Sequence, residues 1–294
     1  MLAIIAGTGE LPTTLANELK GRSQPFIICG MQGHLPDLPC DMEFRLETLG
    51  TLLGQLSKRG VTQICLAGAI RRPKIDPSAI DAATQPIVPL LSAALSKGDD
   101  GALRAVIALF EDRGFEIVGA HEIAPDLLPP SGVLTQAEPI GRHEADARVG
   151  EKILAEMGDV DEGQSCIIAG GRVIAREGPD GTDAMLAPFA RPSAKAEAEG
   201  ILFPLDFAGS LVSSAADWLT GEGPPTEGGI LFKGPKPNQD RRADLPVIGV
   251  ETARRAAQSR LAGIVISAGG VMVLDLASVR GVLDQHGLFL WVRE

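Results

Sequence analysis

Apolar and polar segments alternate through the first 120 residues in the order expected of strands followed by helices. Short apolar runs predict strands at residues 2–6, 26–29, 64–67 and 115–118. Between them, apolar residues recur at the spacing of one helix face at 12–19, 46–58 and 99–113. Such alternation favours a parallel sheet with helices packed on its faces. The first half is therefore predicted to be a Rossmann-like α/β domain.

The second half has a different pattern, with helices and strands interrupted by paired glycines. Helices are predicted at 142–157, 252–261 and 277–286, with a closing strand at 288–292. Gly170-Gly171 and Gly269-Gly270 each separate two apolar runs, and tight hairpin turns need the positive φ that glycine tolerates. We therefore predict β-hairpins at 166–175 and 264–274 within a mixed α/β domain.

A shift in composition divides the two halves. Residues 125–139 are rich in Pro, Ser and Gly, which indicates a linker. We accordingly predict an N-terminal domain at 1–130 and a C-terminal domain at 131–294, the latter carrying the GTDAM and QDRRADLP motifs.

Charge and composition exclude several classes of protein. Lys and Arg number 27 against 38 Asp and Glu, giving a net charge of −11 without a long basic run, which argues against nucleic acid as a partner. No stretch approaches 18 uninterrupted apolar residues, and the N-terminal run lacks the basic head of a signal peptide, so a cytoplasmic location is expected. The cysteines lack metal-ligand spacing, and Cys29, Cys65 and Cys166 lie in apolar runs where cysteine acts as a small hydrophobe.

The first glycine-rich loop, GTGELP at 7–12, follows a strand and opens a helix, the position at which dinucleotide folds bind pyrophosphate. Pro12 replaces the third glycine of that fingerprint, and the second strand ends at Cys29-Gly30-Met31 without a carboxylate for a ribose hydroxyl. A nicotinamide cofactor is therefore disfavoured. Either the loop approaches another ligand closely or it is a plain tight turn.

Two further segments of the first half carry clustered charge. AGAIRRPK at 67–74 leaves the third strand at its carboxyl end, the edge where ligands bind in open α/β sheets. Its three cations either meet a phosphate or form a solvated loop. In KGDD at 97–100, the two aspartates either cap the following helix or contact a ligand. The second interpretation arises because one aspartate suffices for a cap.

The densest polar segments lie in the second half. In EGPDGTDAM at 177–185, helix capping explains Thr182 but does not require Asp183. The loop at 233–246 contains three prolines, so its interleaved Lys, Arg and Asp residues do not form an exposed helix face. Such a mixture suits a magnesium-bound phosphate, since Mg²⁺ takes one or two carboxylates together with phosphate oxygens. The alternative is a charged surface loop.

Taken in order, these motifs resemble one family. GTGELP, AGAIRRP, KGDD, FEIVGAHE, EGxxGTDAM, KGPKPxQDxRxDLPxIGxxT and the closing GLFL run from residue 5 to residue 290, and the set is similar to that of the LpxI-type UDP-2,3-diacylglucosamine pyrophosphatases. The resemblance implies a two-domain cytoplasmic enzyme of lipid A biosynthesis in Gram-negative bacteria. Such an enzyme hydrolyses UDP-2,3-diacylglucosamine to UMP and 2,3-diacylglucosamine 1-phosphate (lipid X) with Mg²⁺.

The resemblance also implies roles for individual residues. Asp244 in RxDLP matches the essential acidic residue, which binds Mg²⁺ or orients the attacking water, and Asp183 is implied as a second metal ligand. The positions implied to contact substrate are Leu11, Lys74, Ile75, Asp99, Asp100, Thr182, Asp183 and Lys233. Lys236 and Arg242 are implied as phosphate clamps.

The implied partner is a lipid-linked sugar nucleotide, with transient peripheral contact at the inner membrane; a homodimer is left open. The segment 188–229 departs from the family pattern, and its stretch 205–219 is either an extra packed helix or a lid that admits acyl chains. Two other function classes stay as alternatives: a non-catalytic nucleotide-sensing module and, with less support, an NAD-type oxidoreductase.

Overall fold

The structure is a computed structural model. It describes residues 1–70, 75–95, 98–190, 225–237 and 239–294, with the backbone alone at 94–95 and 98–100. The chain divides into two compact units, of which the first comprises Met1–Leu127 with Gln239–Leu245 and the second Leu128–Asn238 with Pro246–Glu294. Among the described helices, none has both the length and the apolar character needed to cross a membrane.

The first unit contains a five-stranded sheet in which every pair of neighbours is parallel. Its strands are β1 Leu2–Ala6, β2 Phe26–Met31, β3 Met42–Phe44, β4 Gln63–Ala67 and β5 Glu116–Ile117. They lie in the order β3-β2-β1-β4-β5, so the chain reverses its direction of travel across the sheet between β1 and β4. The predicted Rossmann-like parallel sheet is confirmed, with β3 as an additional edge strand.

Helices of the first unit bury apolar faces against this sheet. They are α1 Leu11–Gly21, α2 Leu49–Lys58, α3 Val88–Leu95, α4 Gly98–Asp112 and α5 Ala120–Ile123. In α2, Leu49, Leu52, Leu53 and Leu56 recur at helical spacing and are all buried in the core. The 3.6-residue period read from the sequence therefore reports a real packed face.

The second unit contains a mixed six-stranded sheet in the order β6-β13-β11-β9-β7-β8. Its strands are β6 Gly132–Val133, β7 Ser165–Ala169, β8 Arg172–Arg176, β9 Ile230–Lys233, β11 Gly263–Ser267 and β13 Phe289–Arg293. Strands β9, β11 and β13 are parallel, whereas β6, β7 and β8 each run antiparallel to their neighbours. A separate parallel pair joins β10 Val247–Ile248 to β12 Met272–Val273. The predicted mixed α/β architecture is confirmed.

Only one of the two predicted hairpins exists. β7 and β8 form an antiparallel pair around Gly170 and Gly171, whose φ angles of 56° and 76° are those of a tight turn. The hairpin predicted at 264–274 is wrong. Both edges of β11 are already paired with β9 and β13, so the chain beyond Gly269 joins β10 in the small sheet instead.

Helices cover both faces of the six-stranded sheet. They are α6 Gly141–Asp159, α7 Thr182–Leu186, α8 Val250–Gln258 and α9 Leu276–Gln285. Alternate strand residues enter two separate apolar clusters, as the two-residue period of a strand requires: Ile167 packs with α8 and α9, whereas Cys166 packs with α6. On α6, Gly150 leaves room for Phe232, whose Cγ would lie 2.6 Å from an added Cβ.

The segment Gln239–Leu245 departs from the predicted division. The sequence pattern placed the QDRRADLP motif in the second domain, whereas the structure groups this segment with the first unit. The physical reason is packing, because Ala243 contacts the first unit's apolar core and Arg242 binds Glu111 of α4. The predicted linker also supplies β6, and the stretch predicted as helical at 205–219 lies outside the described residues.

Candidate functional site

The loops after β1 and β4 meet at the carboxyl edge of the first sheet, where ligands bind in open α/β folds. Thr8 and Ala69 exchange two backbone hydrogen bonds of 3.0 and 2.8 Å, and the Gly7 N–H donates to the Ala67 carbonyl at 2.8 Å. A Cβ on Gly7 would lie 2.5 Å from the Ala69 carbonyl oxygen. Contact between the two loops thus accounts for this glycine, which favours the tight-turn interpretation. Leu11, implied as a substrate contact, begins α1 and is buried.

A buried carboxylate fixes the chain beside the cationic loop. Glu47 accepts hydrogen bonds from Arg45 Nη2 at 2.8 Å and from the Asp76 backbone N–H at 2.8 Å, and it is 3% exposed. The Arg45 hydrogen bond holds the pKa of Glu47 at about 2, well below its usual range. Glu47 therefore anchors the chain directly after Ile75, one of the implied substrate contacts.

An apolar cavity of about 250 Å³ lies next to this anchor. Its apolar lining consists of Leu46, Ile75, Pro77, Ile80, Val88 and Leu91. Glu47, Thr84 and Ser92 complete the wall. Ile75 lines this cavity although it is 39% exposed, whereas the neighbouring Lys74, Arg71 and Arg72 lie outside the described residues.

The implied contacts in KGDD are placed only by their backbone. Asp99 and Asp100 lie in the first turn of α4, which begins at Gly98. Aspartate in a first helical turn interacts favourably with the helix dipole. Their side chains lie outside what the structure describes, so capping and ligand contact both stay open as interpretations.

The segment containing Asp244 is built around a charged triad on the first unit. Arg242 donates to Asp240 from Nε and Nη2 at 3.0 and 2.7 Å, and from Nη1 to Glu111 at 2.7 Å. The hydrogen bonds to Asp240 and Glu111 raise the pKa of Arg242, and those from Arg242 lower the pKa of Asp240. Arg242, implied as a phosphate clamp, therefore binds two carboxylates in this structure.

Asp244 is partly buried at the end of this turn. Its backbone N–H donates to the Asp240 carbonyl at 3.0 Å, and its Oδ2 accepts a short hydrogen bond from Gln239 Nε2. These contacts fix the carboxylate on a short chain segment. Within the described residues no group of three or more His, Cys, Asp or Glu side chains forms a metal-ligand cluster.

The second unit contains a buried polar cluster formed by Ser165, Glu177, Thr182 and Lys233, which we call the Lys233 cluster. Lys233 Nζ donates to Thr182 Oγ1 at 2.6 Å, and Thr182 Oγ1 donates to Glu177 Oε2 at 2.9 Å. Ser165 Oγ donates a short hydrogen bond to the same carboxylate oxygen, which lies 3.8 Å from Lys233 Nζ. Lys233 is 5% exposed, so an ammonium group is held almost completely away from bulk water.

Strand register assembles this cluster. Lys233 at the end of β9 lies directly opposite Ser165 at the start of β7, and opposite residues in an antiparallel pair share one face. Glu177 follows β8, and its backbone N–H donates to the Ser165 carbonyl at 2.9 Å. Three neighbouring strands therefore bring an ammonium, a hydroxyl and a carboxylate together, and the start of α7 adds Thr182.

Thr182 is not a helix cap, contrary to the first interpretation of the sequence. Gly181 occupies the N-cap position of α7 with φ of 88°, and Thr182 is the first helical residue. Because its hydroxyl binds Lys233 and Glu177, the side chain serves the cluster instead of the helix end. Both implied substrate contacts, Thr182 and Lys233, are thus brought together by the fold.

Two further implied residues of the second unit, Asp183 and Lys236, are close in sequence to members of the Lys233 cluster. Asp183 follows Thr182, and its Oδ1 is 3.5 Å from Thr252 Oγ1, at the outer limit of a hydrogen bond. Lys236 Nζ donates to Asp161 Oδ1 at 2.7 Å. The pairings of Lys236 and Arg242 show that a phosphate would have to compete with carboxylates for both predicted clamps.

The buried cysteines behave as predicted. Cys29, Cys65 and Cys166 are buried free thiols, and burial raises the pKa of each to about 12. Since the thiolate is the nucleophile, these residues are packing groups.

Two functional candidates were missed by sequence reasoning, namely Glu177 and Ser165. A signal for Glu177 was present, because it opens the EGPDGTDAM segment directly after a predicted hairpin strand. Ser165 precedes the apolar run of that hairpin, and its role depends on the register of β7 with β9, which no local pattern encodes.

Comparisons with known proteins match nearly the whole length of the chain. The family model of the LpxI N-terminal domain matches residues 1–127, and that of the LpxI C-terminal domain matches residues 130–291. The chain belongs to the LpxI family. A relative from Caulobacter vibrioides, named UDP-2,3-diacylglucosamine pyrophosphatase LpxI, is 34% identical over 292 residues, which are 98% of this chain and 96% of the relative. The prediction of an LpxI-type enzyme is confirmed.

Proposed function

We propose that this LpxI-family chain hydrolyses the pyrophosphate bond of UDP-2,3-diacylglucosamine to give UMP and 2,3-diacylglucosamine 1-phosphate. The observation that carries the proposal is the relative of that name, which aligns with 98% of the chain. In the reaction, water adds to one phosphorus and the bridging oxygen leaves on the other phosphate. No electrons are transferred, so the reaction needs no redox cofactor.

The Lys233 cluster supplies a cation for the pyrophosphate. The protein carries a net charge of −11, so an anionic substrate needs local positive charge. Lys233 is 5% exposed, and a buried ammonium interacts with an anion more strongly than one in water, because the local dielectric is lower. Thr182 fixes its position through the 2.6 Å hydrogen bond. We therefore assign Lys233 to bind a pyrophosphate oxygen.

Asp244 is assigned to the reacting centre. Its carboxylate oxygens are the hard ligands that Mg²⁺ prefers, and Mg²⁺ is held in proteins by one or two carboxylates with phosphate oxygens and water. When bound, Mg²⁺ supplies charge neutralisation at the phosphates. Asp244 would hold it, and Gln239 orients the Asp244 carboxylate.

The acyl part of the substrate needs an apolar surface. Burial of each CH₂ group contributes about 0.8 kcal/mol, so acyl chains leave a bilayer only for another apolar environment. The cavity beside Ile75 offers one within the first unit. We infer transient contact of a cytoplasmic enzyme with the inner membrane surface, from which the substrate is taken.

The experiment is UMP release from UDP-2,3-diacylglucosamine in detergent micelles, with Mg²⁺ or with EDTA. Wild type, Asp244→Asn and the control Asp37→Asn, an exposed aspartate of the same unit, are compared. We expect metal-dependent release by wild type and the control, and a loss of at least about 100-fold in Asp244→Asn.

Each other outcome has a defined meaning. Release that survives Asp244→Asn keeps the reaction and removes the assignment of Asp244. Nucleotide binding without release by folded wild type would replace the enzyme by a sensing module. Release that EDTA leaves unchanged would remove Mg²⁺ from the proposal.

A further inference from the structure

Glu177 occupies the centre of the Lys233 cluster, although neither the motifs nor the relative's name assigns it a role. Its Oε2 accepts hydrogen bonds from Ser165 and Thr182, and the same oxygen lies 3.8 Å from Lys233 Nζ. The side chain of Glu177 is 11% exposed and that of Lys233 is 7% exposed. An ion pair this deeply buried has a large desolvation cost, so a contribution to stability does not by itself account for it.

The hydrogen bonds of the cluster have one direction. Lys233 donates to Thr182, and Thr182 donates to Glu177, so the carboxylate determines where the hydroxyl proton points. With that proton directed at Glu177, a lone pair of Thr182 Oγ1 faces the ammonium. Glu177 thereby orients Lys233 through Thr182 as well as by its charge.

We propose that Glu177 is a positioning residue, which keeps Lys233 protonated and aimed for the pyrophosphate of the substrate. The inference rests on the proposed function, in which Lys233 binds a pyrophosphate oxygen. Glu177 itself need not touch the substrate, because its contacts are to Ser165, Thr182 and Lys233. Loss of the Glu177 charge should therefore lower kcat/KM through its effect on Lys233.

A double-mutant cycle on kcat/KM tests this route of action. Glu177→Gln keeps the shape and one carbonyl acceptor but removes the charge, and Lys233→Met removes the ammonium. We expect Glu177→Gln to lower kcat/KM by about 10- to 100-fold, as loss of supporting partners does at other sites. The double variant should equal Lys233→Met alone within about twofold, since residues acting through one another are not additive. Losses that multiply would overturn the proposal.

The matched control is Glu156→Gln. Glu156 is a carboxylate of the same unit that pairs with Arg176 at 3.1 Å and is 61% exposed. Exposed ion pairs contribute little, so kcat/KM should stay within about twofold of wild type. Any loss in Glu177→Gln then reports the buried cluster and not a general change in charge.

A second readout requires no turnover. In protein labelled with ¹³C at lysine Cε, the Lys233 signal is assigned by its absence in Lys233→Met, and its titration is followed by NMR. Among the residues that the structure describes, the groups facing Lys233 include Glu177 after β8, Ser165 of β7 and Thr182 of α7. Removal of the carboxylate should lower the measured pKa of Lys233 by at least about one unit, because the charged form loses its partner. An unchanged pKa would contradict the inference.

The two readouts separate this inference from the proposed function. If wild type releases no UMP, the proposed function fails, while the titration still decides whether Glu177 maintains the Lys233 charge. Should Glu177→Gln not fold, Glu177→Asp takes its place: it keeps the charge but withdraws the carboxylate by one methylene. A lowered kcat/KM with a near-normal Lys233 pKa would then support positioning, and unchanged kcat/KM would refute it.

Discussion

Thr182→Val should destabilise the second unit more than Thr182→Ser does, although valine preserves the side-chain volume and serine does not. Thr182 is 7% exposed, so ordinary packing rules favour the larger, apolar replacement. The hydroxyl, however, accepts from Lys233 at 2.6 Å and donates to Glu177 at 2.9 Å. Valine removes both of these hydrogen bonds and a third that Thr182 accepts from Ser165 Oγ at 3.2 Å, and it leaves two charged groups with fewer partners.

The magnitude follows from the two hydrogen bonds to charged groups that valine cannot make. A hydrogen bond to a charged group contributes about 1.5–3 kcal/mol. Glu177 keeps the hydrogen bond from Ser165, so its carboxylate loses only part of its hydrogen-bond stabilisation. The expected loss of stability in Thr182→Val is therefore about 2–4 kcal/mol. Thr182→Ser removes one buried methyl group, a cost of about 1 kcal/mol. Serine should therefore be the more stable variant by about 1–3 kcal/mol.

Urea unfolding at pH 7, followed by circular dichroism, measures the difference. Thr252→Val is the matched control, because Thr252 is also 7% exposed but its hydroxyl lies 3.5 Å from its acceptor on Asp183. It should change stability by no more than about 0.5 kcal/mol, since a hydrogen bond that long contributes little. If Thr182→Val proves as stable as Thr182→Ser, the Lys233 cluster does not stabilise the fold as argued.

Three further predictions concern the first unit. Gly50→Ala should cost about 1–3 kcal/mol in urea unfolding, because its Cβ would overlap a backbone carbonyl, whereas Gly54→Ala on the same helix meets nothing within 4 Å and should gain about 0.5–1 kcal/mol. Ser92→Trp should fill the apolar cavity and raise KM for the diacylated substrate at least about fourfold, the equivalent of one methylene, and an unchanged KM would exclude the cavity as an acyl site. The pKa of Glu47 is held at about 2, so its stabilisation is present above its ordinary pKa of about 4.3 and is lost as pH falls toward 2. Glu47→Gln should therefore be less stable than wild type at pH 7, and a difference that persists at pH 2 would refute this.

Local sequence patterns predicted the elements that local chemistry determines. The apolar run at Leu2–Ala6 became β1 without a shift of either end, because a central parallel strand is buried on both faces. The turn at Gly170-Gly171 needed positive φ, which glycine supplies. Gly269 shows the same local chemistry with φ of 60°, yet no hairpin forms there. Occupancy of both edges of β11 is a property of the whole sheet and lies beyond the reach of a local window.

Site residues that lie within one contiguous motif could be predicted from the sequence. Contacts that depend on the pairing of distant strands could not. Thr182 and Lys233 were both named from the sequence, but 51 residues separate them and their hydrogen bond depends on the register of β7 with β9. Ser165 enters the cluster through the same register. Arg242 was expected to bind phosphate, and its carboxylate partner Glu111 lies 131 residues away. Charge counts along the chain do not report such pairings.

The membership of Gln239–Leu245 in the first unit has a consequence for synthesis of the protein. Domains tend to fold from the N-terminus while the chain leaves the ribosome. Here the first unit lacks its last segment until residue 245 has emerged, by which time most of the second unit has been translated. A message truncated before that point would yield a parallel sheet without Asp244. The first unit can therefore complete its fold only after the proposed catalytic aspartate has been translated.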